Sequence, residues 1–375
     1  MSGGTTAITG SVFNSQGVNG TGVSEDGNGD RVLNGINTGL LPAWLGFTGK
    51  SRQNDLDIEF TISMQPGVSE NSVTGDGAVN TGSGASALSS SRQTFLNRQT
   101  YLKFGDASWG SIKLGKDLGI FGSDAILSDM TLLGVGAASG LSGSADNTTL
   151  GGIGTGYTYA AWKGQITYQS PNWNGFQATV GLFNPNAIPN ADSLTTNAFA
   201  QDRLGVEGKL AYSWAGDFSG KAWLGFASYD VTAGTTSNYT IKAYEAGVNG
   251  NVGNLGVTAY YYSGDGLGTT FMGYLGANAQ GKTRDSHGGY LQATYVIPTG
   301  TKLGASYGVS NLDGLSNDAA TLIEQNRRWT IGAYHPLTKS LNLVAEYNDT
   351  RAEAQGSNID AIKAKNVSLG AILFF

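Results

Sequence analysis

In "RDSHGGY", Asp285, Ser286 and His287 stand together, the one place in the sequence where acid, hydroxyl and imidazole meet. Those groups can run acyl transfer when the imidazole takes the hydroxyl proton and the carboxylate orients the ring. Here they are consecutive in an alternating run, which sends neighbours to opposite faces, so they form no triad. The other histidine, His335, abuts Pro336 at a turn, and neither histidine has zinc-site spacing. "SEDGNGDRVLNG" sets Asp26, Asn28 and Asp30 at alternate positions, as at the start of a calcium loop. Arg31 occupies the place of that loop's glycine and no glutamate closes it, so a surface turn is the main reading and Ca2+ only a weak candidate. No glycine-rich phosphate loop opens a helix, and the absence of cysteine removes thiolate sites and disulfides. Neither an enzyme nor a cofactor is expected.

The chemistry left is electrostatic. Arg98, Lys113, Lys209, Lys221, Lys302 and Arg328 each alternate with apolar neighbours, and so do Asp57, Glu59, Glu207 and Glu346. "DLDIEFTISM" puts Leu56, Ile58, Phe60, Ile62 and Met64 on one face and Asp57, Glu59, Thr61 and Ser63 on the other. The terminal "VSLGAILFF" does the same with Val367, Leu369, Ala371, Leu373 and Phe375. Such period-2 runs are strands with two unlike faces. A soluble sandwich shows the same alternation, so the surroundings must decide which face meets what.

Only 13% of the 375 residues are charged, against roughly 25% in soluble domains. Yet no run reaches the ~18 apolar residues of a spanning helix. The start "MSGGTTAITG" has neither the basic nor the apolar region of a signal peptide, as expected of a cytosolic chain or of the mature or recombinant form of an exported one. A net charge of −6 argues against nucleic acid. Tight joints such as "KFGDASWGSIKLG", "QSPNWNGFQATV" and "AYHPLTKSLNLVAEY" alternate with long polar segments near 15–40, 65–94, 117–153, 185–202, 264–284, 310–326 and 350–364; only the connection near 231–237 is short. Short turns at one end and long loops at the other predict an all-β, antiparallel, up-and-down transmembrane barrel of about sixteen strands. It is a single domain over 1–375. In lipid an open sheet edge is excluded, so residues 367–375 should pair with residues near 5–15 and turn their apolar face to lipid. Trp109, Trp173 and Trp214 fall beside short turns, as an interfacial girdle requires. A charge facing lipid at mid-membrane costs ~2–4 kcal/mol, so the alternating ions are assigned to the lumen wall.

"LGFTG" at 45–49, "RQTYLKFGDASWGSIKLGKDLG" at 98–119 and "ITYQSPNWNGF" at 166–176 resemble the second, fourth to fifth and sixth strands of the Gram-negative general porins. The resemblance implies a homotrimer in the outer membrane, among lipopolysaccharide, that passes small hydrophilic solutes by passive diffusion. Phe375 resembles the signal read by the outer-membrane insertion machinery. It also implies that the third loop, 116–154, folds inward to set the pore width. Its carboxylates Asp117, Asp124 and Asp129 would then face wall cations, Arg98 and Lys113 above all. The family's Pro-Glu-Phe-Gly-Gly element is missing, and Trp44 replaces the arginine usual before "LGF". A narrower or more aromatic eyelet follows; Trp44 weakens its positive side, so the lysine ladder gives only a slight lean to anions. A porin selective for organic carboxylates or aromatic acids is the alternative; a barrel enzyme or adhesin is the other class considered.

Overall fold

The computed structural model describes residues 2–9, 31–66, 95–137, 148–184, 203–233 and 237–375. Among the described residues eighteen strands form one antiparallel sheet. They are β1 (Ser2–Thr9), β2 (Arg31–Asn37), β3 (Leu45–Gln53), β4 (Leu56–Pro66), β5 (Phe95–Leu96), β6 (Thr100–Asp106), β7 (Gly110–Leu118), β8 (Trp162–Gln169) and β9 (Phe176–Phe183). Then come β10 (Gly205–Trp214), β11 (Phe218–Ala233), β12 (Ser237–Val252), β13 (Leu255–Asp265), β14 (Asp285–Val296), β15 (Lys302–Leu312), β16 (Ile323–Pro336), β17 (Leu341–Ala354) and β18 (Ile362–Leu373). Because β2 and β3 follow one another along the wall, and β5 and β6 both pair with β4, eighteen less two leaves sixteen crossings of the wall. The expected barrel is observed.

The two ends of the chain pair as lipid demands. β1 runs antiparallel to β18 from Ser2↔Gly370 to Thr9↔Lys363, with Thr5 opposite Val367. The partner segment thus starts earlier than residue 5, and the part of 5–15 beyond Thr9 lies outside the described residues. β1 also pairs with β2. Residues 38–44 carry the chain from β2 to β3, with Ala43 N–H bonded to Pro66 O at 3.1 Å. β2 was not expected, since it falls inside the segment 15–40 read as loop. Its sequence, "RVLNGIN", is too polar and glycine-broken for an alternation to stand out.

Short connections lie at one end, as the Gly, Asn, Asp and Pro clusters require. The joints of β3 with β4 and of β12 with β13 have only two residues each, and in the first Asn54 (φ 49) and Asp55 (φ 60) take the paired left-handed geometry of a hairpin turn. Trp109 and Trp173 are exposed at the turn end, and Trp214 lies between Tyr212 and Phe218 with ring centroids 5.9 and 5.4 Å away. The outward face is a belt of bare apolar groups: Leu224 is 62% exposed and Leu369 65%, while the inward Asn366 and Ser368 of β18 are 4% exposed. Water would penalise that inversion; lipid rewards it. Among the described residues no helix is long and apolar enough to cross a membrane, and the strands do the crossing.

The apolar core lies inside the barrel, which is why the lumen is not a simple open tube. Residues between β7 and β8 fold inward, and their Phe121, Ile126, Ile153 and Tyr157 pack with Tyr229, Tyr260 and Tyr262 of the wall. Leu267 and Met272, from the connection of β13 and β14, join the same cluster. This cluster fills the side of the lumen lined by β9–β14.

An outward charge should be the sharpest probe of the two faces. Leu224→Arg, near the middle of β11, is expected to cost ~2–4 kcal/mol in reversible folding into bilayers. A cost near zero would place that face away from lipid.

Candidate pore constriction

The third loop runs over 119–161, longer than the expected 116–154. "GTGYTYAAW" alternates like a strand, but its only ladder-like contacts are bridges such as Tyr159 with Phe271, so β8 starts at Trp162. Among its described residues the loop carries one short helix, α1 (Ser123–Ser128), and a single 3-10 turn at Met130–Leu133. A chain in this position has backbone donors facing neither a regular ladder nor free water, and each needs a partner.

Wall carboxylates supply them. Glu207 of β10 accepts from Ile120 N–H (2.6 Å) and Phe121 N–H (2.9 Å). Glu245 of β12 accepts from Gly122 N–H at 2.9 Å and from Tyr260 Oη–H at 2.8 Å. Gly122 holds φ 77, and a Cβ there would stand 2.8 Å from Thr158 O, so glycine lets the amide reach. Glu346 of β17 accepts from Val135 N–H (3.0 Å), Gly136 N–H (2.8 Å) and Tyr334 Oη–H (2.6 Å). Between these anchors Gln292 clamps both ends of the α1–3-10 junction, accepting from Met130 N–H and donating to Ser128 O. Tyr290 donates to Ala125 O at 2.7 Å. Beyond Glu346, Gly134 O accepts from Leu40 N–H at 2.9 Å, so the loop reaches the β2–β3 connection. It therefore covers the inner wall from β8 round to β17 and leaves β3 to β7 bare.

The sequence-assigned residues separate into three groups. Asp124 is buried and paired with both Lys209 and Lys221. Asp129 is buried too, accepting from Tyr157 Oη–H at 2.7 Å and lying 3.8 Å from Arg328 Nη2, while its Oδ1 caps the 3-10 turn at Thr131 N–H. These two carboxylates meet cations at the wall under the loop rather than across open water. The second group is on the bare wall. Trp44 Nε1–H donates to Gln99 Oε1 at 2.9 Å, Gln99 donates to Asp117 at 3.2 Å, and Asp117 pairs with Lys113. Glu59 lies between Lys50 (3.3 Å) and Lys103 (3.5 Å), and Asp57 is 2.8 Å from Arg52.

Arg98 is the exception. It precedes β6 in an irregular stretch, and its guanidinium lies 5.7 Å over the ring of Trp162. Trp162 shares its face of β8 with the exposed Ile166 and Tyr168, opposite the inward Lys163. Arg98 and Lys113 are thus not brought together. Lys302 lies over Tyr334 at 5.0 Å. His335 meets Thr301, and among the described residues no group of three metal-ligating side chains exists. Asp26, Asn28 and Asp30 lie outside the described residues.

Several participants were not singled out from sequence. Lys103 faces Lys113 across β6 and β7, and Glu59 faces Lys50 and Lys103, so Lys50, Glu59, Lys103 and Lys113 form one lateral row. "YLKFG" carried the same alternating signal as the assigned lysines. Lys163 and Glu245 were missed as well. Lys163, fully buried, pairs with Glu207, which also accepts from Tyr229. With the loop's acidic groups turned to the wall, its exposed edge is apolar: Leu127 is 59% exposed into the lumen.

A sixteen-crossing outward-apolar barrel with one loop stapled across a polar lumen defines an outer-membrane channel. The chain matches the family model of the Gram-negative porins over residues 7–355, and it belongs to that family. Its fold is similar to an anion-selective porin from Comamonas acidovorans (16% identity, 100% of this chain and 99% of that one, TM-score 0.61). It is likewise similar to the outer membrane channel DcaP of Acinetobacter baumannii (14%, 100% and 96%, 0.63) and to Salmonella typhi OmpF in complex with daunomycin (15%, 98% and 95%, 0.57). A search of curated protein sequences gave no match.

Burial raises the Asp124 carboxyl, but Lys209 and Lys221 outweigh it and hold its pKa below the ordinary value. Ionised Asp124 therefore stabilises the docked loop at neutral pH, and that contribution is lost as pH falls through the lowered pKa. A nitroxide on Leu127→Cys should show a loosening step as pH falls below about 4, the ordinary carboxylate range, and that low-pH step should be missing once residue 124 cannot ionise. Adding Asp124→Asn should loosen the label already at pH 7; an unchanged spectrum would show that the pairing does not hold α1.

Proposed function

We propose that this porin, a water-filled channel of the bacterial outer membrane for passive diffusion of small solutes, has its narrowest passage between the apolar edge of α1 and the bare wall of β3 to β7, and that this passage has a modest preference for anions. One observation carries the reading: the third-loop carboxylates Asp124 and Asp129 are neutralised under the loop, while Lys50, Lys103 and Lys113 share a row with the single carboxylate Glu59. Asp117, four residues above Lys113 and paired with it, tempers that row, and Trp44 supplies an aromatic group where a further cation would strengthen it. In a narrow lumen such fixed charges act on each ion over the screening distance of about 8 Å at physiological salt. The net charge of −6 does not oppose this, because selectivity is set at the narrowest ring.

The same reading takes the molecule as a homotrimer surrounded by phospholipid and lipopolysaccharide, and as a channel without catalytic activity. Phe375, fully exposed past the end of β18, supports a role in insertion. A second reading, selectivity for organic carboxylates, is favoured by Leu127: an apolar lumen edge opposite lysines suits a solute with an apolar body and one anionic end.

Reversal potentials in a salt gradient test the first reading. Lys103→Ala and Lys113→Ala should each move the preference towards cations. Asp124→Asn, which frees Lys209 and Lys221, should move it towards anions. If all three match the parent channel, the constriction is elsewhere. For the second reading, block of single-channel current by benzoate should be relieved by Leu127→Ser.

A further inference from the structure

The outward face carries one group of residues that the channel does not use. Arg327 of β16 is directly opposite Arg351 of β17, and Arg351 is directly opposite Lys363 of β18. One row nearer the turns, Lys365 is opposite Asp349, which is opposite Trp329, which is opposite Tyr307. Tyr307, Trp329, Arg327, Arg351, Lys363 and Lys365 line a cleft of about 380 Å³. All six alternate with inward residues such as Asn326, Thr350 and Ala364, so they project from the outside of the barrel.

Like charges directly opposite in a sheet repel, and here three follow in adjacent strands. The protein's own carboxylates do not balance them. Glu353 serves both Arg327 (3.3 Å) and Arg351 (2.8 Å), and the Arg351 Nε lies off the hydrogen-bonding direction. Asp349 lies 3.9 Å from Lys365. Lys363 makes no ion pair among the described residues. Four cations thus face two carboxylates.

Height along the strand selects the partner. Arg351 stands ten positions from Leu341 at the turn end, about 25 Å up the wall for a tilted strand. That is the upper rim of the apolar band. Trp329, Tyr347 and Ile331 lie just below, with Trp329 and Tyr347 rings 5.1 Å apart. Cations over aromatic rings over an apolar wall fit a molecule with phosphates at the top and acyl chains beneath.

We propose that this cleft binds the phosphate groups of a phosphorylated lipid of the outer leaflet, with its acyl chains lying along Trp329 and Tyr347. The proposal rests on the outer-membrane surroundings described above and is independent of the constriction assignment.

Native mass spectrometry of the detergent-solubilised protein with bisphosphorylated lipid A tests it. The parent should retain the lipid, and Arg351→Ala/Lys363→Ala should weaken retention about tenfold or more, since each basic residue near an anionic surface contributes appreciably. The exposed Lys363→Ala alone should give a smaller loss in the same direction. Lys242→Ala, an outward cation of β12 opposite Asp265 and away from the cleft, should change nothing. Single-channel conductance of the variants should equal that of the parent, which separates this site from the pore. Equal retention by the double variant, equal retention of the dephosphorylated lipid, or binding of inorganic phosphate as tight as the lipid would overturn it. So would dissociation of the oligomer with lipid binding intact, which would give the surface to a second copy of the chain.

Discussion

A backbone amide placed where water is scarce must find an acceptor, and the third loop of this porin finds its acceptors in the carboxylates of the barrel wall. Glu207, Glu245 and Glu346 take five loop amides between them. The dependence is mutual. An ionised carboxylate inside a packed lumen is costly unless donors surround it, and the loop provides donors that a strand, with its amides committed to the ladder, cannot. Glu207 is completed by Lys163 and Tyr229, and Glu346 by Tyr334. The loop position, the apolar core beneath it and the location of the water path all follow from these staples.

The same accounting applies on the outside, where lipid offers no partner at all. There the sheet satisfies itself through its ladders, and β1 with β18 brings the two ends of the chain together. What the outer wall then needs from each side chain is only that it be apolar, and what the inner wall needs is only that it be small, polar or suited to the loop. This explains how 16% identity can accompany structural similarity over the whole chain. Alternation and turn chemistry, rather than particular residues, specify the barrel, because a one-residue slip would turn every lipid-facing group inward.

That division also sets what could be read from sequence. The faces of β4, β17 and β18 were legible because each residue reports its own side through period-2 alternation, and the turns were legible from Gly, Asn, Asp and Pro. Alternation puts Glu207 and Glu346 on the polar face of their strands, yet their role under the loop depends on amides more than eighty residues away in the chain, which no local pattern encodes. The third loop was expected to end at 154 and runs on to 161, because Tyr157 and Tyr159 serve its core rather than a strand. Arg98 was misread because strict alternation was carried past the end of β6 into an irregular stretch. Lys103 was legible in principle; placing it needed the register with Lys113.

The account stands on the third loop sealing the wall beneath it while the wall of β3 to β7 stays wet. The chain has no cysteine, so single cysteines report without background. In planar bilayers a small, negatively charged methanethiosulfonate should lower the current through Lys103→Cys within seconds and leave Ala243→Cys, which lies 1% exposed under the loop, unmodified. Reaction of Ala243→Cys as fast as Lys103→Cys would contradict the stapled loop and the water path drawn from it.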